Sequence, residues 1–411
     1  MAKEGSEDSR VLSIQSHVVH GYVGNRSAVF PMQLLGLEVD VLNTVHFSNH
    51  TGYKKFRGER LNGDQLLDII AGLEENDLIN YTHLLTGYIG NPSLLRAITT
   101  SLEKLRQRNP SLIYVCDPVM GDDNRLYVPP ELVDIYRDEV LPFADIITPN
   151  QFECELLSGQ SLKGDADVIA ACQKLHALGP RIVIISSFVP SSDSEFLWLY
   201  ASEQVNGISN QYKMEIPRLK EYYSGTGDMF AALSLAWLSR YPTNLKLVLE
   251  KVIATIQAVM KRTSEAKSAN RELRLIQSRH DIESPQVVIH AQLLHSPITH
   301  VVLDSRAFHQ ESVAAELHSA GVATILLTYS TQAETPSSAF TQVSEQSWKL
   351  DLAFAHAFSW SDVCASAGVL PVNALFLSQA ASASSDNDIE YHVATDVASA
   401  VALISKRKQQ A

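Results

Sequence analysis

The run Tyr222-Tyr-Ser-Gly-Thr-Gly-Asp-Met-Phe-Ala-Ala232 sets two glycines and a threonine before an aspartate, and the aspartate opens an apolar stretch through Leu238. Gly225 and Gly227 let the backbone turn its N–H groups toward one point and let a ligand come close. At a helix N-terminus, those unpaired donors and the helix dipole favour phosphate. A carboxylate beside such an anion hole should repel phosphate. Asp228 makes sense there if it takes a proton from a hydroxyl that attacks phosphorus. Gly225, Thr226 and Gly227 would then donate N–H groups to the charge on the transferred group. That is phosphoryl transfer to a small-molecule hydroxyl without a Walker A loop. For this motif alone, the alternative is a glycine C-cap followed by an N-capping aspartate.

Asp117, Asp122, Thr148, Asn150 and Glu153 are hard oxygen donors, suited to Mg²⁺ with nucleotide phosphates and bridging waters. Each also has an ordinary role open to it. Asp117 before Pro118 can form a turn, and Glu153 can be a first-turn helix acid.

These residues need a frame. Val11–Gln15, Val39–Val45, His83–Thr86, Ile113–Cys116, Asp145–Thr148 and Ile182–Ser186 read as buried strands, with helical stretches between them. Asn91-Pro92 starts a helix over Leu94–Leu105, and Asn62 precedes the periodic run Gln65–Leu73. That alternation predicts a parallel sheet covered by helices. Phe196–Tyr200 and Gln211–Ile216 predict antiparallel strands at a sheet edge, and Asn244–Arg262 a long helix. Polar residues fall where the strands end: Ser16 and His17, Asn49 to Gly52, Gly87 and Tyr88, Asp117, Asn150 to Glu153, Ser186 and Ser187. In open α/β sheets ligands bind beyond the carboxyl ends of the strands, so these residues predict an active-site rim.

The chain has 411 residues, 45% hydrophobic and 19% charged, which predicts an ordinary globular protein of two domains. A net charge of −13 disfavours nucleic acid or an anionic membrane as partner, so phosphate must be held locally. Cys116, Cys154, Cys172 and Cys364 form no CxxC pair, which fits a reducing compartment and argues against structural zinc. No segment reads as a signal peptide or a membrane span, so a cytoplasmic location is the expectation.

Residues 10 to about 293 resemble pyridoxal kinases of the ribokinase-like superfamily. The resemblance rests on Val11-Leu-Ser-Ile-Gln-Ser-His17, Gly21-Tyr-Val-Gly-Asn25, Phe47-Ser-Asn-His-Thr-Gly-Tyr53, Leu85-Thr-Gly-Tyr88, Tyr114-Val-Cys-Asp-Pro-Val119 and Ile146-Ile-Thr-Pro-Asn-Gln-Phe-Glu153. Gly225-Thr-Gly-Asp228 completes the set, and Glu272-Leu-Arg-Leu-Ile-Gln-Ser278 resembles the end of eukaryotic members. The resemblance implies a ribokinase-like three-layer α/β sandwich with a mostly parallel central sheet, plus a smaller C-terminal α/β domain. The domains would be a flexible N-terminus at 1–10, a kinase domain at 11–294 and an extension at 295–411.

It also implies ATP-dependent phosphorylation of the 5′-hydroxyl of pyridoxal, with pyridoxine and pyridoxamine as further substrates. Ser16 would bond the pyridine nitrogen and Thr51 lie near the ring substituents, with Val23, Phe47 and Tyr88 packed on the ring faces. For Val23 and Phe47, plain core packing is the alternative. Asn150, Ser186, Ser187, Ser224 and Thr226 would contact ATP, with the adenine near Arg218 and Leu219. Asp117, Asp122, Thr148 and Glu153 would make the Mg²⁺ site. Family members often bind a monovalent cation as well, and a homodimer is implied.

The chain departs from the family pattern where Gly121-Asp-Asp-Asn-Arg-Leu-Tyr127 replaces a longer loop over the phosphates. Tyr127 remains, so slower catalysis or weaker ATP binding is expected rather than loss. A hydroxymethylpyrimidine kinase of the same superfamily and a pyridoxal- or nucleotide-binding pseudokinase scaffold are the rival readings. The extension resembles the core of haloacid-dehalogenase-type phosphatases, with Val301-Val-Leu-Asp304 as first strand. Arg306 stands where that family needs a second aspartate, so a non-catalytic domain is expected.

Overall fold

A computed structural model describes residues 9–191, 193–205, 208–219, 221, 223–266, 272–295, 300–304, 324–328, 341–343, 374–377, 392–394 and 399–400. The chain divides into two compact units, residues 1–203 with 212–292, and residues 204–211 with 293–411. Among the described residues, no helix is long and apolar enough to cross a membrane.

The chain begins with β1 (Arg10–Val18), α1 (Asn25–Leu34), β2 (Glu38–Phe47), β3 (Gly58–Arg60) and α2 (Gly63–Glu75). It continues through β4 (His83–Thr86), α3 (Pro92–Arg108), β5 (Ile113–Cys116), β6 (Gly121–Asp122), β7 (Arg125–Leu126) and α4 (Glu131–Ile135). Then come β8 (Ile146–Ile147), α5 (Gln151–Ser158), α6 (Asp165–Leu178), β9 (Ile182–Phe188), β10 (Phe196–Val205) and β11 (Ile208–Pro217). The helices α7 (Thr226–Arg240), α8 (Leu245–Glu265) and α9 (Arg279–Glu283) precede β12 (Gln292–His295).

These strands form one sheet in the order β12-β11-β10-β9-β8-β5-β4-β1-β2-β3. From β2 to β9 the paired neighbours are parallel, and β3 and β10 join antiparallel. This is the mostly parallel α/β sheet that the strand pattern predicts. The short β3 is an addition to that pattern, because Gly58-Glu-Arg60 is fully exposed and carries no apolar alternation.

Local chemistry explains the helix starts. Asn62 and Gln65 form a reciprocal capping box on α2, Asn91 accepts the Leu94 amide ahead of the Pro92 start of α3, and Asn244 caps α8. The helix α7 is buried over Met229–Leu238 and packs on α1 and α8, so apolar burial on nearly every side fixes its axis.

Two sets of residues expected at or just after strand ends lie inside strands. Ser16 and His17 belong to β1, whose pairing with β4 stops at Ile14 while its pairing with β2 runs on to Val18. Ser186 and Ser187 belong to β9, which outruns its pairing with β8 at Val183 and continues against β10 as far as Phe188. In both cases one neighbour carries the strand beyond the other.

In the second unit β13 (His300–Asp304), β14 (Thr324–Thr328), β15 (Thr341–Val343), β16 (Ala374–Leu377) and β17 (His392–Ala394) form a sheet in the order β15-β14-β13-β16-β17. The pairs β13–β14, β13–β16 and β16–β17 are parallel. The helix expected over Glu311–Ala320, the loop Gln379–Asp388, Arg306 and Cys364 lie outside the described residues.

One buried acid of the sheet makes stability depend on pH. Burial pushes the Glu203 carboxyl up to about 7, and nearby Arg181 and a Tyr212 hydrogen bond offset this only partly. The unfolded chain releases that proton near ~4.3, so between the two values the folded form alone keeps it. Stability therefore falls as pH rises through this window and is fully kept below it. Glu203→Gln is expected to flatten the fall and to stabilise the protein above pH ~7 by on the order of 3 kcal/mol, which thermal melts across pH would register.

Candidate active site

The Gly225-Thr-Gly-Asp228 run is the turn into α7. Gly225 sits at φ 86° as the N-cap, in the left-handed region that favours glycine. A Cβ there would lie 1.9 Å from the Tyr22 carbonyl oxygen, so the turn touches the loop before α1 directly. The Ser27 hydroxyl donates to the Gly225 carbonyl at 2.8 Å and locks the contact. At Gly227 the space a Cβ would take is free of protein within 4 Å, which leaves the helix N-terminus open to a ligand. The Thr226 hydroxyl donates to the Tyr223 carbonyl at 3.2 Å.

Asp228 is half-buried in the first turn. Burial raises its carboxyl above the ordinary aspartate value, while the amides of Gly24 and of Asp228 itself pull it back in part. It is therefore a stronger base than an aspartate in water. Its field reaches Asp117, whose carboxyl burial holds well above its ordinary value, with Glu153 and Asp228 adding to the shift. Asp117 follows β5 and accepts the Thr148 hydroxyl at 3.0 Å.

Glu153 shows how one residue serves two ends. It closes the capping box of α5 by accepting the Asn150 amide at 2.9 Å, and its other oxygen accepts the amides of Met120 at 2.8 Å and Gly121 at 3.3 Å. Burial pushes its carboxyl up to about 7 in spite of these bonds. Both oxygens are thus engaged by backbone, and the Thr148 hydroxyl is engaged by Asp117. Among the described residues, no group of three or more His, Cys, Asp or Glu is arranged to hold a metal unaided.

Asn150 donates its side-chain amide to the Gly121 carbonyl at 2.7 Å and so fixes the hairpin of β6 and β7. Its turn residues Asp123 and Asn124 have φ 48° and 59°, as a two-residue type I′ connection requires. Asp122 accepts the Asp123 amide at 2.9 Å, and Tyr127 is half exposed beyond the hairpin. The Ser186 amide donates to the Pro149 carbonyl at 2.9 Å, which places the Ser186–Ser187 pair beside the Thr148–Asn150 turn. Arg218 and Leu219 lie on the connection from β11 toward α7.

On the other side of Asp228, the sheet ends form a mixed wall. Ser16 is buried, and a Cβ on Gly24 (φ 53°) would come within 2.0 Å of its carbonyl oxygen. Phe47 clusters with Val18, Val45 and Val23, and its ring also meets Phe56 at 5.0 Å and the Arg60 guanidinium at 5.0 Å. Tyr88 is half-buried, its carbonyl accepts the Thr44 hydroxyl at 3.1 Å, and burial raises its hydroxyl pKa. Thr51 is exposed on the loop after β2. The neighbouring Gly52 faces Ser224, with 4.0 Å from a Cβ position to its hydroxyl, so this loop meets the α7 turn.

A supporting network went unread in the sequence. Ser13 donates to Asn25 at 2.8 Å, Gln15 donates to Ser13 at 2.9 Å, and Asn25 donates to Asn43 at 3.0 Å. It ties β1, β2 and the start of α1 together under Ser16. The signal was present as polar residues alternating through an otherwise apolar strand.

A helix N-terminus open to an anion with a half-buried carboxylate in its first turn, set in a mostly parallel α/β sheet whose strand ends carry polar and aromatic residues, is the arrangement of a small-molecule kinase. The family model for phosphomethylpyrimidine kinase matches residues 77–273. The pyridoxal kinase of Arabidopsis thaliana is 49% identical over 296 residues, covering 70% of this chain and 95% of that one. The pyridoxal kinase of Sus scrofa is 45% identical over 312 residues, covering 71% and 97%. The structure of Leishmania donovani pyridoxal kinase with ADP and pyridoxamine superposes with a TM-score of 0.66 at 37% identity, covering 70% of this chain and 99% of that one. The chain belongs to the pyridoxal kinase family.

Proposed function

We propose that this chain transfers the γ-phosphoryl group of ATP to the 5′-hydroxyl of pyridoxal, pyridoxine or pyridoxamine. The observation that carries the reading is the open α7 N-terminus with Asp228, raised in basicity, bonded to Gly24, which itself packs on Ser16. Asp228 holds the substrate hydroxyl and takes its proton as the bond to phosphorus forms. The transition state is loose, so proton transfer comes late and a moderate base suffices. The amides at Gly225, Thr226 and Gly227 receive the charge on the transferred oxygens. Ser16 orients the ring through its nitrogen, and the apolar walls exclude water.

The acids fit a hard divalent cation, because Glu153 and Asp228 add to the shift that burial imposes on Asp117, and a cation would relieve it. Asp117 and Asp122 would hold Mg²⁺ jointly with nucleotide oxygens and water, while Thr148 and Glu153 orient Asp117 and the Met120–Gly121 backbone. When bound, the ion supplies charge neutralisation on the phosphate oxygens. Asn150, Ser186, Ser187, Ser224 and Tyr127 would line the nucleotide side, with Arg218 and Leu219 at the adenine. Family resemblance supports a homodimer, and the buried free thiols of Cys116, Cys154 and Cys172 support a reducing compartment such as the cytoplasm. Residues 295–411 form a small non-catalytic α/β extension in this reading.

Purified protein with ATP, Mg²⁺ and pyridoxal should yield pyridoxal phosphate, followed by its absorbance. Turnover of hydroxymethylpyrimidine in preference to all three vitamers would overturn the reading.

A further inference from the structure

Glu272 lies far along the chain from Tyr22 and Tyr53, yet its carboxylate sits between the two loops that carry them. One oxygen accepts the Tyr53 hydroxyl at 2.8 Å and faces His50 Nε2 at 3.4 Å. The other accepts the Tyr22 amide at 3.0 Å. His50 Nδ1 accepts the Gly52 amide at 3.2 Å, so the ring proton lies on Nε2, directed at Glu272. A Cβ on Gly21, at φ 101°, would stand 2.6 Å from the Glu272 carboxylate, so the loop before α1 gives it room only because that residue is glycine.

The carboxylate is itself well anchored. Leu273 and Leu275 are fully buried, and the Arg274 amide donates to the Thr263 hydroxyl at 3.1 Å. Burial pushes the Glu272 carboxyl up, but the His50, Tyr53 and Tyr22 donors outweigh it and hold it below its ordinary value. Each loop it holds carries a reacting part of the site. The His50–Tyr53 loop carries Thr51, and its Gly52 faces Ser224. The Tyr22–Gly24 loop presses its carbonyl on Gly225 and gives the Gly24 amide to Asp228.

We propose that Glu272 is a positioning residue for the vitamer: it clamps the His50–Tyr53 loop to the Tyr22–Gly24 loop, and so sets the width of the pocket between Thr51 and Asp228. This rests on the functional reading above. Glu272 itself bonds to Tyr22, His50 and Tyr53, none of them a nucleotide-side residue, so its loss should fall first on the alcohol substrate. In Glu272→Gln the negative charge goes and one acceptor oxygen remains for the three donors of Tyr22, His50 and Tyr53, so the charge-assisted bonds cannot all be kept.

The test measures steady-state kinetics and amide exchange on the full chain for Glu272→Gln, Tyr53→Phe and the double variant. Glu272→Gln should raise KM for pyridoxal about tenfold, the loss of a charge-assisted hydrogen bond, with KM for ATP changed less than about twofold. Tyr53→Phe should do less, and the double variant should add little to Glu272→Gln, because both remove the same bond. Exchange should quicken over residues 48–57 while β4 and β5 stay protected. Equal effects on both KM values, or a fall in yield and Tm with KM unchanged, would make Glu272 merely structural and overturn the proposal. Unchanged KM and unchanged exchange in folded variants would do the same. If the parent turned over no pyridoxal, the functional reading would fail, and the exchange of residues 48–57 would still decide whether the clamp exists.

Discussion

Asp228→Ala is expected to lower kcat for pyridoxal by roughly 10²–10⁴-fold, the usual weight of a general base, with ATP affinity kept. The carboxylate is fixed in the α7 turn by the Gly24 amide and its own. Its removal leaves the Gly225–Gly227 amides and the acids around Asp117 in place. The pH profile gives a second readout. A base must be unprotonated, so activity rises with pH through its pKa, and burial raises that pKa above the ordinary aspartate value. The parent's acid limb should therefore lie above the ordinary carboxylate range. Asp228→Asn should lose that limb along with most of the rate, while nucleotide binding by calorimetry stays near the parent value. An unchanged acid limb in Asp228→Asn would assign the base elsewhere.

Much of this arrangement is legible in sequence because it is local. The phosphate turn, the strand-end acids and the asparagine caps are set by residues within a few positions of one another, and glycine and capping chemistry act over that range. The expectations that shifted did so where a distant neighbour decides. Ser16 and Ser187 read as residues just past their strands, yet β2 and β10 carry those strands past the ends of β4 and β8. Glu153 read as either a helix-capping acid or a metal-site acid. It does cap α5, and the Met120 and Gly121 amides also make it a brace for the loop that bears Asp122. The basicity of Asp228 depends on burial that no short window records. Glu272 is the extreme case, since 219 residues separate it from Tyr53. No periodicity or spacing links such residues until the sheet and the helices bring them together.

Gly225→Ala and Gly227→Ala should separate two uses of glycine in one turn. At Gly225 the left-handed backbone alone costs an alanine about 1–2 kcal/mol. The added Cβ would also stand 1.9 Å from the Tyr22 carbonyl oxygen and 2.9 Å from its carbon, both backbone atoms with little freedom to move. The turn must pull away from the Tyr22–Gly24 loop, and the Gly24 bond to Asp228 goes with it. Gly225→Ala is therefore expected to lower Tm by several degrees and to cut kcat/KM for pyridoxal at least ~10²-fold, through misplacement of the base. At Gly227 the backbone is unstrained and no protein lies within 4 Å of the new methyl. Gly227→Ala should leave Tm near the parent value and still slow turnover, because the methyl occupies space in front of the donors that the phosphoryl group needs. Thermal melts beside kinetics distinguish the two. A Gly227→Ala variant with full activity would move the phosphate away from this helix end, whereas loss without a change in Tm places the transferred group against the Gly227 amide.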